Sequence, residues 1–292
     1  MSSQQNTSLG IWLMIAVAFI FAVQDGFSRH LAGEYNVYMV IMIRYWFFAT
    51  FVITVATRKA GGFVNAARSK VTGWQVFRGV LLAVEILIAV SAFVLLGLIE
   101  AHAVFAVYPL LVAALSGPIL GEKVGWRRWT AIGIGFVGVL VILQPGSGVF
   151  RVEALLALLA AFMFALYGLI TRYVGRHDTS AVSFFWTGVS GAIITTAVGI
   201  WFWEPMTPTD WGIMALLCLT SASSHFLLIR AYEVAEASAI QPFAYLQLVF
   251  ASAIGMLVFN EVLRPNVVLG AGIVVCAGLF TLWRARVAEK RR

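Results

Sequence analysis

Long unbroken apolar runs recur along the whole chain and leave little choice of fold. Leu9 to Val23 and Ala154 to Leu169 are almost wholly apolar. Roughly 20 apolar residues cross the hydrocarbon core of a bilayer as a helix. Unbroken runs argue against a membrane barrel, whose strands are short and alternating. Composition agrees: 61% of residues are hydrophobic and 11% charged, against about 25% charged in an ordinary soluble domain. The mean hydropathy is +0.93. A water-soluble fold needs polar side chains at its surface, and this chain has too few.

The runs predict helices at 9–28, 36–57, 75–96, 100–120, 127–144, 152–173, 181–203, 210–230, 236–259 and 266–284. The fold class is therefore all-α and polytopic, with ten transmembrane helices. Residues 1 to 10 contain no Lys or Arg, and the small pair Ala16 and Ala18 lies inside the first apolar run. A retained first helix is expected there, and not a cleaved signal peptide. Cys218 and Cys276 stand alone in apolar stretches and read as small hydrophobes.

Charge sets the expected orientation. The chain has 20 Lys and Arg residues and a net charge of +7. Arg44 lies inside a span, and Arg29, Arg151 and Arg264 fall in odd-numbered connections. All the others, Arg78 included, fall in even-numbered connections or the C-terminal tail. The positive-inside rule then places both termini in the cytoplasm. The same clustering makes the positive charge a topology signal, so no nucleic-acid partner is implied. The lipid bilayer is the implied partner and the cell membrane the expected location (the inner membrane, in a Gram-negative source).

The chain repeats itself. Ala18-Phe19-Ile20-Phe21-Ala22 resembles Ala161-Phe162-Met163-Phe164-Ala165, and Ser28-Arg29 aligns with Thr171-Arg172. Further on, Glu100-Ala101-His102-Ala103 resembles Glu236-Ala237-Ser238-Ala239. Phe105-Ala106 with Leu110 resembles Phe243-Ala244 with Leu248, and Glu122 before Gly133 matches Glu261 before Gly272. The repeat holds five helices, an odd number, so the second copy is expected to be inverted. Two repeats, 1–146 and 147–292, follow. Inverted repeats are common in secondary transporters, whose solute site lies near the midplane between the copies.

These residues also carry a family resemblance. Arg44-Tyr45 opens the second helix, Tyr108-Pro109-Leu110 interrupts the fourth, and Gly121-Glu122-Lys123 ends it. A glycine-rich fifth helix follows with Gly133, Gly135 and Gly138, and the second half answers with Glu261 and then Gly270, Gly272 and Gly278. The chain resembles the EamA-like carriers of the drug/metabolite transporter superfamily, and among them the aromatic amino-acid exporters. It departs from the pattern where Gln247 stands in place of a second proline and Asn260 in place of a glycine. The resemblance implies transport of a small-molecule solute by alternating access, with amino acids, aromatic or otherwise hydrophobic, as the expected cargo. Export of drugs or other metabolites is the alternative. A channel and a membrane-embedded enzyme are further alternatives, but no zinc-protease, serine-hydrolase or Walker motif is present. No metal-ligand spacing occurs among the four histidines, and no cofactor is implied.

Polar groups at membrane depth are the candidates for solute binding or gating. A charge at the bilayer centre costs at least about 2.5–3.5 kcal/mol, so such groups must face protein or water. Arg44 lies about 12 Å into its span, Glu85 about 13–15 Å from the inner face, and Asp25 about 6 Å below the outer surface, at about 1.5 Å per residue. Arg44 has the reach to bridge to either acid, as a gate or counter-charge or as a structural ion pair. His225 lies beside Ser221, Ser223 and Ser224. Gln24, Gln241 and Gln247 offer neutral polar contacts. Trp46, Tyr108, Tyr167, Trp186 and Tyr245 are mid-span rings, whereas eight other tryptophans (12, 74, 126, 129, 201, 203, 211 and 283) form an interfacial belt. Pro109 and Pro242 are expected hinges. The glycines of helices five and ten are expected to form a scaffold or a homodimer face.

Overall fold

A computed structural model describes residues 6–60, 62–121, 124–144, 151–235 and 240–289. Glu122 and Glu236 to Ala239, two members of the repeat, lie outside the described residues. The described chain is helical: α1 (Thr7–Glu34), α2 (Val37–Ala60), the short α3 (Phe63–Ala67), α4 (Thr72–Leu96), α5 (Leu98–Phe105), α6 (Tyr108–Leu120), α7 (Trp126–Leu143), α8 (Ala154–Val174), α9 (Ser180–Gly199), α10 (Pro208–Val234), α11 (Leu246–Phe259) and α12 (Pro265–Glu289). Short 3-10 helices cover Ile200–Phe202 and Gln241–Tyr245. Among the described residues, nine helices are long and apolar enough to cross a membrane, and Phe243–Phe259 forms a shorter apolar one.

The spans fall where the apolar runs lie, with three refinements. The fourth expected helix is broken between α5 and α6, just before Pro109, which stands in the first turn of α6 where its missing N–H has no intrahelical partner to lose. Its repeat partner contains a 3-10 helix, Gln241–Tyr245, that carries Pro242 in its first turn. The first helix runs on to Glu34 and takes Arg29, expected in a connection, into its last turns.

Local chemistry sets the helix ends. Asn6 accepts the Leu9 N–H at 3.0 Å to open α1. Thr207 accepts the Asp210 N–H at 3.2 Å to open α10, with Pro208 in the first turn. Helices α6 and α11 end in the left-handed region, at Gly121 (φ 74) and Asn260 (φ 53). Asn is the residue that best replaces Gly there. The departure from glycine at Asn260 therefore preserves the cap.

Small residues bring the helices together. Buried alanines line α4 (Ala83, Ala89, Ala92) and α8 (Ala157, Ala160, Ala161, Ala165), and these two helices pack on each other. In the same way α1 packs on α10. Helix α1 also meets α11 while α8 meets α6, and α2 pairs with α9. Helices α7 and α12 pair through Gly138 and Gly270, each of which faces the other's backbone carbonyl. Gly135 meets Leu110, and Gly278 meets Tyr245. Gly133 and Gly272 have nothing within 4 Å where a Cβ would stand. The eight belt tryptophans are all exposed. Trp46 is exposed too, with its indole N–H donating to Thr196 Oγ1 at 2.7 Å, so it faces outward and not into the bundle.

Candidate functional site

Two polar clusters lie inside the bundle. In the first, α2 contributes Arg44 and Tyr45, α4 contributes Glu85, α1 contributes Asp25, and α10 contributes Ser221. Arg44 is 6% exposed and donates from Nε to Ser221 Oγ at 2.9 Å. The expected bridge from Arg44 to an acid does not form. Asp25 and Glu85 act on Arg44 electrostatically without pairing with it; Asp25 is engaged by His102 and Gln247 instead. Glu85 is 4% exposed and makes no hydrogen bond or ion pair among the described residues. The Tyr45 hydroxyl is buried without a partner among the described residues and lies in electrostatic reach of Arg44 and Glu85. Beside it, Phe48 packs against Tyr45 and against His225, at ring-centroid distances of 6.4 and 5.8 Å. His225 donates from Nδ1 to the Ser221 carbonyl at 2.8 Å. Gln24 receives a long 3.5 Å hydrogen bond from Ser224 Oγ.

Asp25 turns toward α5 and α11. His102 Nε2 and Gln247 Nε2 both lie 3.0 Å from Asp25 Oδ2. A small cleft of about 30 Å³ adjoins this group, lined in part by Phe105, Tyr108, Pro109, Tyr245 and Gln247. The Tyr108 ring meets Phe164 edge-on at 5.1 Å, and the Tyr245 hydroxyl is buried without a partner.

The second cluster surrounds a residue that the sequence places in a connection. Arg78 lies inside α4 and is 2% exposed. Its Nη1 donates to Tyr167 OH at 3.0 Å and to Thr171 Oγ1 at 3.2 Å. Its Nη2 donates to Gln75 Oε1 at 3.2 Å, the Ser183 carbonyl at 2.5 Å and Thr187 Oγ1 at 2.7 Å. The guanidinium also lies 5.2 Å from the Tyr167 ring centre. Neutral oxygens from α8 and α9 thus solvate a buried cation, which is why it sits inside a helix and not at the membrane face. Four of its five partners lie about 90 to 110 positions away in sequence, so nothing local to Arg78 signals them. Trp186 belongs elsewhere: its indole N–H donates to the Ala67 carbonyl at 3.0 Å and ties α9 to α3.

Of the expected site residues, the fold gathers Asp25, Arg44, Glu85, Gln24 and His225 around one region, and Tyr108, Tyr245 and Gln247 beside His102. Tyr167 faces Arg78. His102 itself was recognised only as part of the repeat.

Residues 8–144 and again 151–283 match the EamA-like transporter family. The chain belongs to that family. This EamA-like transporter is 26% identical over 274 residues to an S-adenosylmethionine uptake transporter of Rickettsia prowazekii (strain Madrid E), covering 93% of this chain and 91% of the relative. It is 25% identical over 295 residues to a riboflavin transporter of Vibrio cholerae serotype O1, covering 100% and 99%. It is 24% identical over 270 residues to the pseudopaline exporter CntI of Pseudomonas aeruginosa (strain UCBPP-PA14), covering 92% and 94%. A crystal structure 17% identical to it superposes with a TM-score of 0.63 over 98% of this chain and 99% of its own, which shows the fold alone. The expected family is confirmed. None of these three relatives is named for aromatic amino acids, so the narrower subgroup resemblance does not extend to them.

Proposed function

We propose that this transporter carries a zwitterionic solute, with an amino-acid-like head on a flat aromatic body, across the cell membrane by alternating access. One observation carries the reading: among the described residues Glu85 is buried with no partner, while Arg44, within electrostatic reach, bonds to the neutral Ser221 and to no acid. A buried carboxyl without a partner and an arginine held by a single hydroxyl are groups that an incoming solute can complete. A solute ammonium on Glu85 and a solute carboxylate on Arg44 supply that completion, the second by the fork geometry that suits guanidinium to carboxylate. Tyr45, Phe48 and His225 offer rings beside the charged pair for an aromatic body. S-adenosylmethionine, named for the Rickettsia relative, has this chemistry: a methionine head on an adenosine body.

The arrangement of the helices supports two inverted repeats of 1–146 and 147–292. The pairing of α1 with α10 is matched by α8 with α4, and α1 with α11 by α8 with α6. The breaks that precede α6 and α11 stand at equivalent places and suit Pro109 and Pro242 as hinges. Removing Arg78 from the inner connections leaves the charge asymmetry intact, which supports cytoplasmic termini.

The test is counterflow in liposomes of purified protein, preloaded with unlabelled solute and offered labelled S-adenosylmethionine, tryptophan or riboflavin. Exchange of S-adenosylmethionine or tryptophan is expected, with Arg44→Ala and Glu85→Gln each reducing the initial rate about tenfold or more, equivalent to about 1.4 kcal/mol. Exchange of riboflavin alone, or variants that exchange like the wild type, overturns the zwitterion reading.

A further inference from the structure

His102 and Asp25 hold a proton that their surroundings do not assign to either. Both ring nitrogens of His102 face oxygen: Nδ1 lies 2.9 Å from the Leu98 carbonyl and Nε2 lies 3.0 Å from Asp25 Oδ2. A carbonyl oxygen accepts and never donates, so Nδ1 carries a hydrogen. At 3.0 Å, the facing Nε2 and Oδ2 need one hydrogen between them. It is either an N–H donating to a carboxylate or an O–H donating to a neutral imidazole. Without it, two lone pairs oppose each other in a buried site. Both residues are buried, at 4% and 8% exposed. The ring is clamped parallel to Phe93, 4.8 Å away, and Gln247 donates to the same Oδ2.

We infer that the Asp25–His102 pair is a proton-binding site that couples solute movement to proton movement. This rests on the transporter reading above. The cleft against His102, with Tyr108, Tyr245 and Gln247 in its wall, is large enough for a water, which gives the proton a carrier. The coupling is electrostatic. Asp25 lies within reach of Arg44 and Glu85, so a solute that binds those two groups changes the field at the pair. The proton enters from water on one face and leaves to water on the other, with no other bond made or broken.

The groups around the pair are accounted for. Arg29, one turn along α1, is engaged by Glu261 and the Phe259 ring. Glu100 on α5 is paired with Arg264. From α10, His225 faces Phe21 and Phe48. From α8, Tyr167 is engaged by Arg78. Helix α7 has no titratable side chain beyond Arg127 and Arg128, and α12 none before Cys276. The buried ionisable groups left to act on the pair are therefore Arg44 and Glu85, with the Arg78 cation two turns from Glu85 along α4.

Two measurements test this. In proteoliposomes enclosing a pH-sensitive dye, wild-type protein is expected to move protons when S-adenosylmethionine or tryptophan moves. A gradient of one pH unit should concentrate the solute about tenfold for one proton per solute. His102→Gln is expected to keep counterflow at equal pH and lose the gradient-driven accumulation. Wild-type counterflow without accumulation, or accumulation by His102→Gln equal to the wild type, overturns the inference and leaves the transporter reading standing. The second measurement needs no solute: nitrogen-15 NMR of histidine-labelled protein, with His102→Gln to assign the signal. Nδ1 should stay protonated while Nε2 shows a shared proton, and Asp25→Asn should abolish the sharing. An Nε2 that stays unprotonated from pH 5 to 9 overturns the inference even if no solute tried is transported.

Discussion

Glu261 accepts the N–H of Leu98 at 2.7 Å, across 163 positions of sequence. Its other oxygen accepts the Ile99 N–H at 2.9 Å, and Arg29 pairs with it as well. The carboxylate thus closes the first turn of α5 and pins it to the connection before α12. It also explains Gly97, which has a φ of 91° and whose absent side chain leaves the space that the carboxylate fills. Glu261→Gln keeps one acceptor and sets an amide N–H against a backbone N–H. The expected cost is about 1–3 kcal/mol, seen as a lower thermal midpoint in detergent. Wild-type stability in this variant would remove the anchoring role.

Arg78 presents a different problem, a buried cation held only by neutral oxygens. Its planar fork reaches α8 and α9 together. Lysine keeps the charge but cannot span those acceptors. Arg78→Lys is expected to cost about 3 kcal/mol or more and to speed thermal inactivation in detergent. An Arg78→Lys protein as long-lived as the wild type would contradict this account.

The pairing of α7 with α12 depends on close backbone approach. At Gly138 and Gly270 an added Cβ meets the facing helix's carbonyl, so Gly138→Leu or Gly270→Leu should overpack the contact by about 1–3 kcal/mol and lower the yield of folded protein. Gly133→Ala and Gly272→Ala meet open space and should fall within about 0.5 kcal/mol of the wild type. A reversal of this order between the two pairs is the result that counts against it.

Outside the spans, Asp178 docks the segment before α4. Burial pushes its carboxyl up, but hydrogen bonds from Gln75, Ser69 and the Lys70 backbone N–H, with the nearby His177, outweigh it and hold the group below its ordinary value of 3.8. A depressed acid stabilises the fold above its unfolded value and loses that contribution as pH falls through its folded one. Protease resistance of residues 68–72 should therefore be constant from pH 7 to 5 and decline below about pH 4. Asp178→Asn should show the weakened state at all of these pH values. Cleavage that is unchanged by the variant at pH 7 would show that the docking lies elsewhere.

Much of this protein was legible one residue at a time. In lipid each backbone N–H and C=O must bond within its own helix, so the length of an apolar run decides where a span lies, and Pro109 decides where one breaks. The repeat and the family pattern lie in the residue order too, and they marked Glu261 and the turn at Asn260 before any contact was known. The polar partners were not legible in this way. Arg78 was counted with a connection although it falls in the first turn of the predicted helix 75–96, and the hydroxyls that hold it come from α8 and α9, 89 and 109 positions away. Arg44 was expected to bridge to Asp25 or Glu85, yet it bonds Ser221, 177 positions away, and Asp25 turns to His102 instead. Which faces meet depends on alanines and glycines that let particular helices approach, and a side-chain bond a few ångströms long responds to that approach alone. The sequence by itself determined that the chain crosses the membrane, roughly where, and in which family. Only the tertiary structure decided which buried polar groups meet: Arg44 with Ser221, Asp25 with His102, and Arg78 with the oxygens of α8 and α9.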